Sequence, residues 1–361
     1  MRVSAFISEL SRGGAQGVFI NVVNYLYEHG IEIEVVVENL YNPVHKKDLH
    51  SKINVVNFNV PSSKRALPGL KNYLNSHTFD YALVFGGEFA VNLYLIRKII
   101  NKDFKIIGRC LNTLSLEFDH AESFFRKQIT SRLIKRYFHK IDYVIAQSEG
   151  MAKDLIENWN FKKEKVTVIN NAMQPKYEEE MNSHYINKKE NYIMYAGRFE
   201  KQKGLSFLIN SFSQLEDKEI QLKLIGSGKM EENLRALVKD LGIDNRVEFI
   251  GYTTSLIEFY KKAKVFVLTS YFEGFPNVLV ESIACGTPVV SFDMPSGANE
   301  IIDDQVNGYL VSYLNTKELT LRLNDAIKKE WNPIEIKKTA KKFSRDVIMS
   351  KYLEIFNYVD V

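Results

Sequence analysis

Short apolar runs of strand length recur along the first 170 residues: RVSAFI, EIEVVVE, NVVNF, YALVF, KIIGR, YVIAQ and VTVIN. Helix-patterned stretches such as 16–29 and 89–100 separate them. Strands that alternate with helices in this way are joined by crossovers, and crossovers build parallel sheets. A polar tract from Gln174 to Asn191, rich in Lys, Glu and Asn, breaks the alternation and reads as an interdomain linker or an exposed excursion. The pattern then restarts with YIMYAG, QLKLIG, RVEFIG, KVFVLTS and PVVSF. At 361 residues the chain exceeds the size at which one core keeps growing. Two doubly wound α/β domains are therefore expected, over 1–172 and 173–344.

Composition narrows the class without naming a function. Apolar residues make up 45% and charged residues 25%, an ordinary globular balance. MRVSAFISEL lacks a long apolar leader, and no run of about 18 apolar residues occurs, so a cytoplasmic chain that does not span a membrane is expected. Cys110 and Cys285 stand far apart without metal-ligand spacing, which predicts buried thiols, no zinc and no disulfide scaffold. The net charge of +4 is uneven: residues 1–170 hold 23 Lys and Arg against 17 Asp and Glu. Their richest stretch, 124–140, has six Lys and Arg, no acid, and apolar residues at helical spacing. Two readings stand for it: a core helix with a solvated basic face, or a helix that leans on anionic lipid headgroups. No nucleic-acid motif accompanies the charge, so nucleic acid is not an expected partner.

Doubly wound sheets bind ligands beyond the carboxyl ends of their strands, and the chemically informative residues follow the predicted strands. Gly13-Gly14 follows the first, where absent side chains let backbone N–H groups approach a phosphate. A three-glycine dinucleotide fingerprint is absent, which disfavours NAD. Arg198 and Lys203 follow YIMYA within a loop flanked by Gly197 and Gly204, and a guanidinium with an ammonium can hold a diphosphate. Gly226 and Gly228 form a similar turn. EGFPNVLVE, 273–281, follows KVFVLTS and places two carboxylates around an uncharged segment, with no Lys or Arg within several residues. Pro276 suits the first turn of a helix, which puts Glu273 before that helix and Glu281 in its second turn. Carboxylates without partners accept from sugar and ribose hydroxyls, and the first-turn N–H groups near Asn277 and Val278 are left for phosphate.

GRFEKQKG, EGFPNVLVE and GGAQ together resemble the family 4 glycosyltransferases, and the likeness spans essentially the whole chain. It implies the GT-B fold: two Rossmann-like domains facing across a cleft, with a helix near 345–361 crossing back to the first. It implies a retaining transferase that moves a hexose or N-acetylhexosamine from a nucleotide sugar, with UDP the expected base. The stretch 292–311 is similar to enzymes of bacterial surface polysaccharide assembly, which implies a saccharide acceptor, lipid-linked, and peripheral contact with an anionic membrane. Arg198 and Lys203 would take the donor diphosphate, Glu281 the ribose hydroxyls, and Glu273 the donor sugar. Gly13, Gly14 and Gly226 would line the donor site, which the backbones of Gly274, Phe275, Asn277 and Val278 would complete.

Two positions depart from the family pattern. Leu111 stands where a histidine is usual, leaving Arg109 and Asn112 as candidates for the acceptor or sugar side, and Gln16 replaces an acid after Gly-Gly-Ala. His120 is nearby in sequence, but a lone loop histidine is more often exposed than catalytic. No Asp-x-Asp motif is placed to hold a metal, so metal-independent transfer without a cofactor is expected, the nucleotide sugar being a substrate. The leaving diphosphate would be met by Arg198, Lys203 and helix N-termini, with Glu273 orienting the sugar. A nucleotide-sugar epimerase or hydrolase of the same fold, and a non-catalytic binding protein, are the alternatives.

Overall fold

The computed structural model describes residues 1–11, 13–120, 126–185, 187–253 and 255–359. Two compact units emerge: residues 1–172 together with 346–361, and residues 173–345.

The first unit holds β1 (Arg2–Glu9), β2 (Glu32–Asn39), β3 (Asn54–Asn57), β4 (Tyr81–Phe85), β5 (Lys105–Arg109), β6 (Tyr143–Ala146) and β7 (Val166–Val168). They form one sheet in the order β3-β2-β1-β4-β5-β6-β7, every pair parallel. Ala5 sits between Val35 and Leu83 in register. The second unit holds β8 (Tyr192–Ala196), β9 (Gln221–Ile225), β10 (Val247–Ile250), β11 (Val265–Leu268), β12 (Val289–Phe292) and β13 (Gly308–Val311). Their order is β10-β9-β8-β11-β12-β13, again all parallel.

Strands β4, β8, β11 and β12 are buried at every residue. Helices cover both faces of such sheets, so the strands read as unbroken apolar runs rather than as alternation. In each sheet the strand order reverses beside the unit's first strand, β1 or β8, and a crevice opens where neighbouring loops depart to opposite faces. The loops after β1, β8 and β11 are placed by that topology.

The polar tract after residue 173 is a structural element. Pro175–Asn182 is helical, with Pro175 in the first turn and Tyr177 and Met181 buried one turn apart. Tyr177 and Met181 lie on the face of that helix that joins the unit's core cluster, while Pro175, Lys176 and Glu179 are exposed. Polar composition therefore misled the linker reading: one apolar residue per turn is enough to anchor a two-turn helix.

The chain passes between the units twice, and each unit ties its own side of the crossings. In the second unit the Met173 N–H donates to the Phe343 carbonyl at 2.9 Å. In the first, Arg109 is 1% exposed, donates from Nε to Tyr352 Oη at 2.7 Å and from a terminal nitrogen to Asn171 Oδ1, and lies 4.8 Å from the Phe85 ring centroid. Ile348, Met349, Tyr352, Ile355 and Phe356 of the Arg345–Val359 helix are buried in that unit's core. One planar cation thus joins a sheet edge, the segment leaving the unit and the helix returning to it. Arg109→Lys keeps the charge but not the fork, and urea titration should show a loss of about 2–4 kcal/mol.

Candidate functional site

The carboxyl edge of the second unit is built from backbone laid against backbone. Gly226, after β9, has φ +135°, and a Cβ there would stand 2.0 Å from the Gly197 carbonyl oxygen. Only glycine permits this approach, so Gly226 has a steric reason independent of any ligand. Phe199 N–H donates to the Ser227 carbonyl at 2.9 Å, locking the turn after β8 to the turn after β9. Gly204 (φ +57°) brings the end of the first turn equally close to Thr269, whose carbonyl oxygen would lie 2.3 Å from a Cβ.

That approach carries Lys203 to Glu273. Thr269 Oγ1 donates to the carbonyls of Lys203 and Gly204, Tyr271 N–H donates to the Gln202 carbonyl at 2.8 Å, and Gln202 Nε2 donates to the Phe272 carbonyl at 2.8 Å. The two turns are stitched along their length. At the end of the seam Lys203 Nζ and Glu273 Oε1 are 2.6 Å apart, with side-chain exposures of 15% and 11%. Ser270 Oγ donates to the same carboxylate oxygen at 2.6 Å, and Ser296 Oγ donates to the Glu273 carbonyl. Glu273 lacks a counter-ion in its neighbourhood of sequence but has one 70 residues away. The lysine expected at the diphosphate and the carboxylate expected at the donor sugar thus stand side by side as one largely buried pair.

Beyond Glu273 the chain turns through Gly274, Phe275 and Pro276 into the Asn277–Ala284 helix. Phe275 is 6% exposed, its ring 5.4 Å from that of Phe343, so the turn is anchored from beneath. The backbone N–H groups of Gly274, Phe275 and Val278 have no hydrogen-bond partner among the described residues. A helix start leaves such donors unspent, with the positive end of the helix dipole behind them. Arg198 is exposed, and its guanidinium makes no hydrogen bond or ion pair among the described residues. It follows β8, while Gly274–Val278 follows β11, the strand hydrogen-bonded to β8. The edge therefore presents an exposed guanidinium and three backbone donors without partners among the described residues, which is a setting for an anion.

Glu281 lies in the second turn of the helix, and Tyr260 Oη donates to its Oε2 at 3.3 Å. Burial pushes its carboxyl above the usual carboxylate value, against the pull of Lys176 and the hydroxyls of Tyr177 and Tyr260. Sequence reading missed both tyrosines, because Tyr177 sits in the tract read as a linker and Tyr260 is 21 residues from its partner. Gln202 lies within GRFEKQKG and Ser270 ends KVFVLTS, and side-chain type alone did not reveal that they brace the loops.

In the first unit Gly13 precedes the Gly14–Glu28 helix, and a Cβ at Gly13 would lie 2.3 Å from Gln16 Oε1. The glycine makes room for Gln16 to fold back over the turn. Asn112 is half-buried, while Leu111, at the usual histidine position, packs against the core. Arg109 spends its guanidinium inside the unit, which gives it a structural role at the sequence position proposed for a sugar contact. His120 is exposed, with a ring nitrogen 2.9 Å from the Leu116 carbonyl of its own turn. Both cysteines are buried free thiols. Among the described residues no three His, Cys, Asp or Glu side chains are grouped to hold a metal ion, and no helix is long and apolar enough to cross a membrane.

Comparison with known proteins follows the same division. The family model "Glycosyltransferase Family 4" matches residues 12–176, and "Glycosyl transferases group 1" matches 176–345. An uncharacterized glycosyltransferase of Methanocaldococcus jannaschii is 31% identical over 281 residues, covering 74% of this chain and 69% of the relative. The chain belongs to family 4 of the glycosyltransferases. It is also 25% identical, over 95% of its length and 96% of the relative, to the N-acetylgalactosamine-N,N'-diacetylbacillosaminyl-diphospho-undecaprenol 4-alpha-N-acetylgalactosaminyltransferase of Campylobacter jejuni. Among solved structures, Anabaena HepE in complex with UDP superposes with a TM-score of 0.78 at 20% identity, covering 99% of this chain and 100% of that one. The fold is GT-B, as the sequence resemblance implied.

The transferase's buried ion pair and its raised carboxyl each yield a measurable consequence. Lys203→Met takes the counter-ion from Glu273 and should destabilise the fold by about 3–5 kcal/mol, whereas Lys203→Met with Glu273→Gln should recover much of that loss. A double-mutant cycle in urea measures the coupling, and additive losses would contradict it. For Glu281 the folded carboxyl binds its proton more tightly than the unfolded one, so its contribution is favourable at low pH and is lost as pH rises above the ordinary value of 4.5. Glu281→Gln should therefore raise the melting temperature at neutral pH and flatten its fall above that value.

Proposed function

We propose that this glycosyltransferase moves a hexose or N-acetylhexosamine, with retention, from a UDP-sugar to a lipid-linked saccharide in the assembly of a bacterial surface polysaccharide. The observation that carries the reading is the unspent Arg198 guanidinium together with the free N–H groups of Gly274, Phe275 and Val278 at one sheet edge. A donor diphosphate seated there meets positive charge where negative charge grows as the glycosidic bond breaks. Because Lys203 is neutralised by Glu273, Arg198 and the helix start carry most of this field, and Lys203 acts through its pair. Glu281 takes the ribose hydroxyls, which replace the water that its carboxyl has lost. Glu273, fixed by Lys203 and Ser270, orients the donor sugar without attacking it. The charge is supplied by the protein, so transfer proceeds without a metal ion.

Two relatives support the substrates. The Campylobacter jejuni enzyme is named for an undecaprenyl diphosphate-linked acceptor, and the Anabaena protein was crystallised with UDP. Retention is what family membership implies. The basic stretch adds a contact with an anionic membrane: Ile129 and Leu133 are exposed one turn apart, and Arg132, Lys135, Arg136 and Lys140 are exposed around them. Residues 124 and 125 of that stretch lie outside the described residues.

A thermal-shift panel of UDP, GDP and ADP sugars, followed by turnover with a diphosphate-linked lipid saccharide in EDTA, tests the reading. UDP-sugars should stabilise the chain, EDTA should leave the rate unchanged, and NMR should show the donor's anomeric configuration in the product. Arg198→Ala should cut the rate by about two to three orders of magnitude with little change in melting temperature. Conversion of the donor to an epimer without acceptor, or binding with no turnover, would replace the proposal with an isomerase or a binding protein.

A further inference from the structure

The turn after β11 is backed by a second turn that no step of the proposed transfer uses. β12, hydrogen-bonded to β11, ends at Phe292, and residues 293–297 lead from it into the short Ala298–Ile301 helix. Met294 and Ala298 belong to the unit's core cluster, so the stretch between them is held at both ends. Ser296, 1% exposed, lies on that stretch and donates from Oγ to the Glu273 carbonyl. Gly297 (φ +84°) lies against the same turn: a Cβ there would stand 2.9 Å from Pro276 Cδ and 3.5 Å from Phe275 Cα.

Glu273 is thereby gripped at two points. Its carboxylate receives Lys203 Nζ and Ser270 Oγ, each at 2.6 Å, and its carbonyl receives Ser296. That carbonyl shares a peptide unit with the N–H of Gly274. Among the described residues no peptide bond is cis, and in a trans unit the N–H points opposite to the C=O within one rigid plane. A hydroxyl that fixes the Glu273 oxygen therefore also aims the Gly274 N–H, on the far side of the plane from Ser296.

That N–H has no hydrogen-bond partner among the described residues, although Gly274 is buried. A buried N–H left in this way is rare in a folded chain. Without the serine the plane would turn readily, because it rotates about one bond of Glu273 and one of Gly274, and glycine restricts that rotation least. The carboxylate contacts hold the side chain of Glu273 and leave this rotation open.

We propose, on the reading of this edge as a diphosphate site, that Ser296 is a positioning residue of the donor site: its hydroxyl sets the Glu273–Gly274 peptide so that the Gly274 N–H meets an oxygen of the donor diphosphate. Ser296 acts through that peptide and not on the ligand. NMR of the full chain with isotope-labelled glycine, the Gly274 amide being assigned by its loss in Gly274→Ala, reads the N–H directly. Saturating UDP should move the Gly274 amide proton downfield in the wild-type chain. In Ser296→Ala the UDP-induced shift should fall to about half or less, and calorimetry should show UDP bound about five- to tenfold more weakly. Ser296→Cys, close in volume but a weaker donor, should lie between the two, and it reads the contact if Ser296→Ala fails to fold. Ser211→Ala removes another buried hydroxyl, one that donates to the Thr316 carbonyl at 3.3 Å, and should alter neither measurement. A Gly274 shift undiminished in the Ser296 variants, whatever their affinity for UDP, would overturn the proposal and leave the diphosphate site standing. Equal losses in Ser211→Ala would reduce Ser296 to a general stabiliser and overturn it as well. A wild-type Gly274 amide that does not respond to UDP would overturn the diphosphate reading, and the role of Ser296 with it.

Discussion

The Lys203–Glu273 pair is the contact on which the arrangement of the second unit's carboxyl edge depends. It closes a seam of hydrogen bonds between the turn after β8 and the turn after β11. Burying two charges is favourable only where geometry is good and the remaining lone pairs are met, and here Ser270 donates to the same carboxylate oxygen as Lys203. With the pair formed, the helix start at Asn277 is held with its free N–H groups outward, and Arg198 is left as the unspent cation. The two cations are thus in different states: Lys203 is tied to a carboxylate, and the Arg198 guanidinium is exposed.

This division alters what each charged residue can contribute. A lysine already compensated by a carboxylate adds little net potential at a nearby phosphate, although its remaining N–H groups still donate. Substitutions at Lys203 or Glu273 therefore disturb the fold of the edge, while Arg198, exposed and without a partner among the described residues, contributes little to it. Glu281 sits between these extremes. Tyr177 and Tyr260 hold it, yet burial disfavours its charge.

Most of the fold was legible from periodicity. The twelve strand runs quoted from the sequence correspond to β1–β12, because central parallel strands covered on both faces are apolar throughout, whereas β13 was not read as a strand. Gly226 and Gly204 were legible as turn residues, though the backbone contact that demands them was not. Long-range partners were invisible: the counter-ion of Glu273 and the hydroxyl on Glu281 come from other strands' loops, and no local spacing encodes them. The linker reading failed for a related reason. Tyr177 and Met181 are two apolar residues in a charged tract, and their burial is decided by what the rest of the unit offers them.

The order of the chain through the two units has a consequence for synthesis. The unit that begins the chain is built from 1–172 and 346–361, whereas the other is continuous from 173 to 345. On a ribosome, segments become available from the N-terminus onward. Tyr352, Ile355 and Phe356 complete the first core and receive Arg109, so that core stays open until the whole second unit has been translated. Of the two units, the one whose synthesis starts earlier is completed later, and in the interval the part of its core that Ile348, Tyr352 and Phe356 fill stays uncovered.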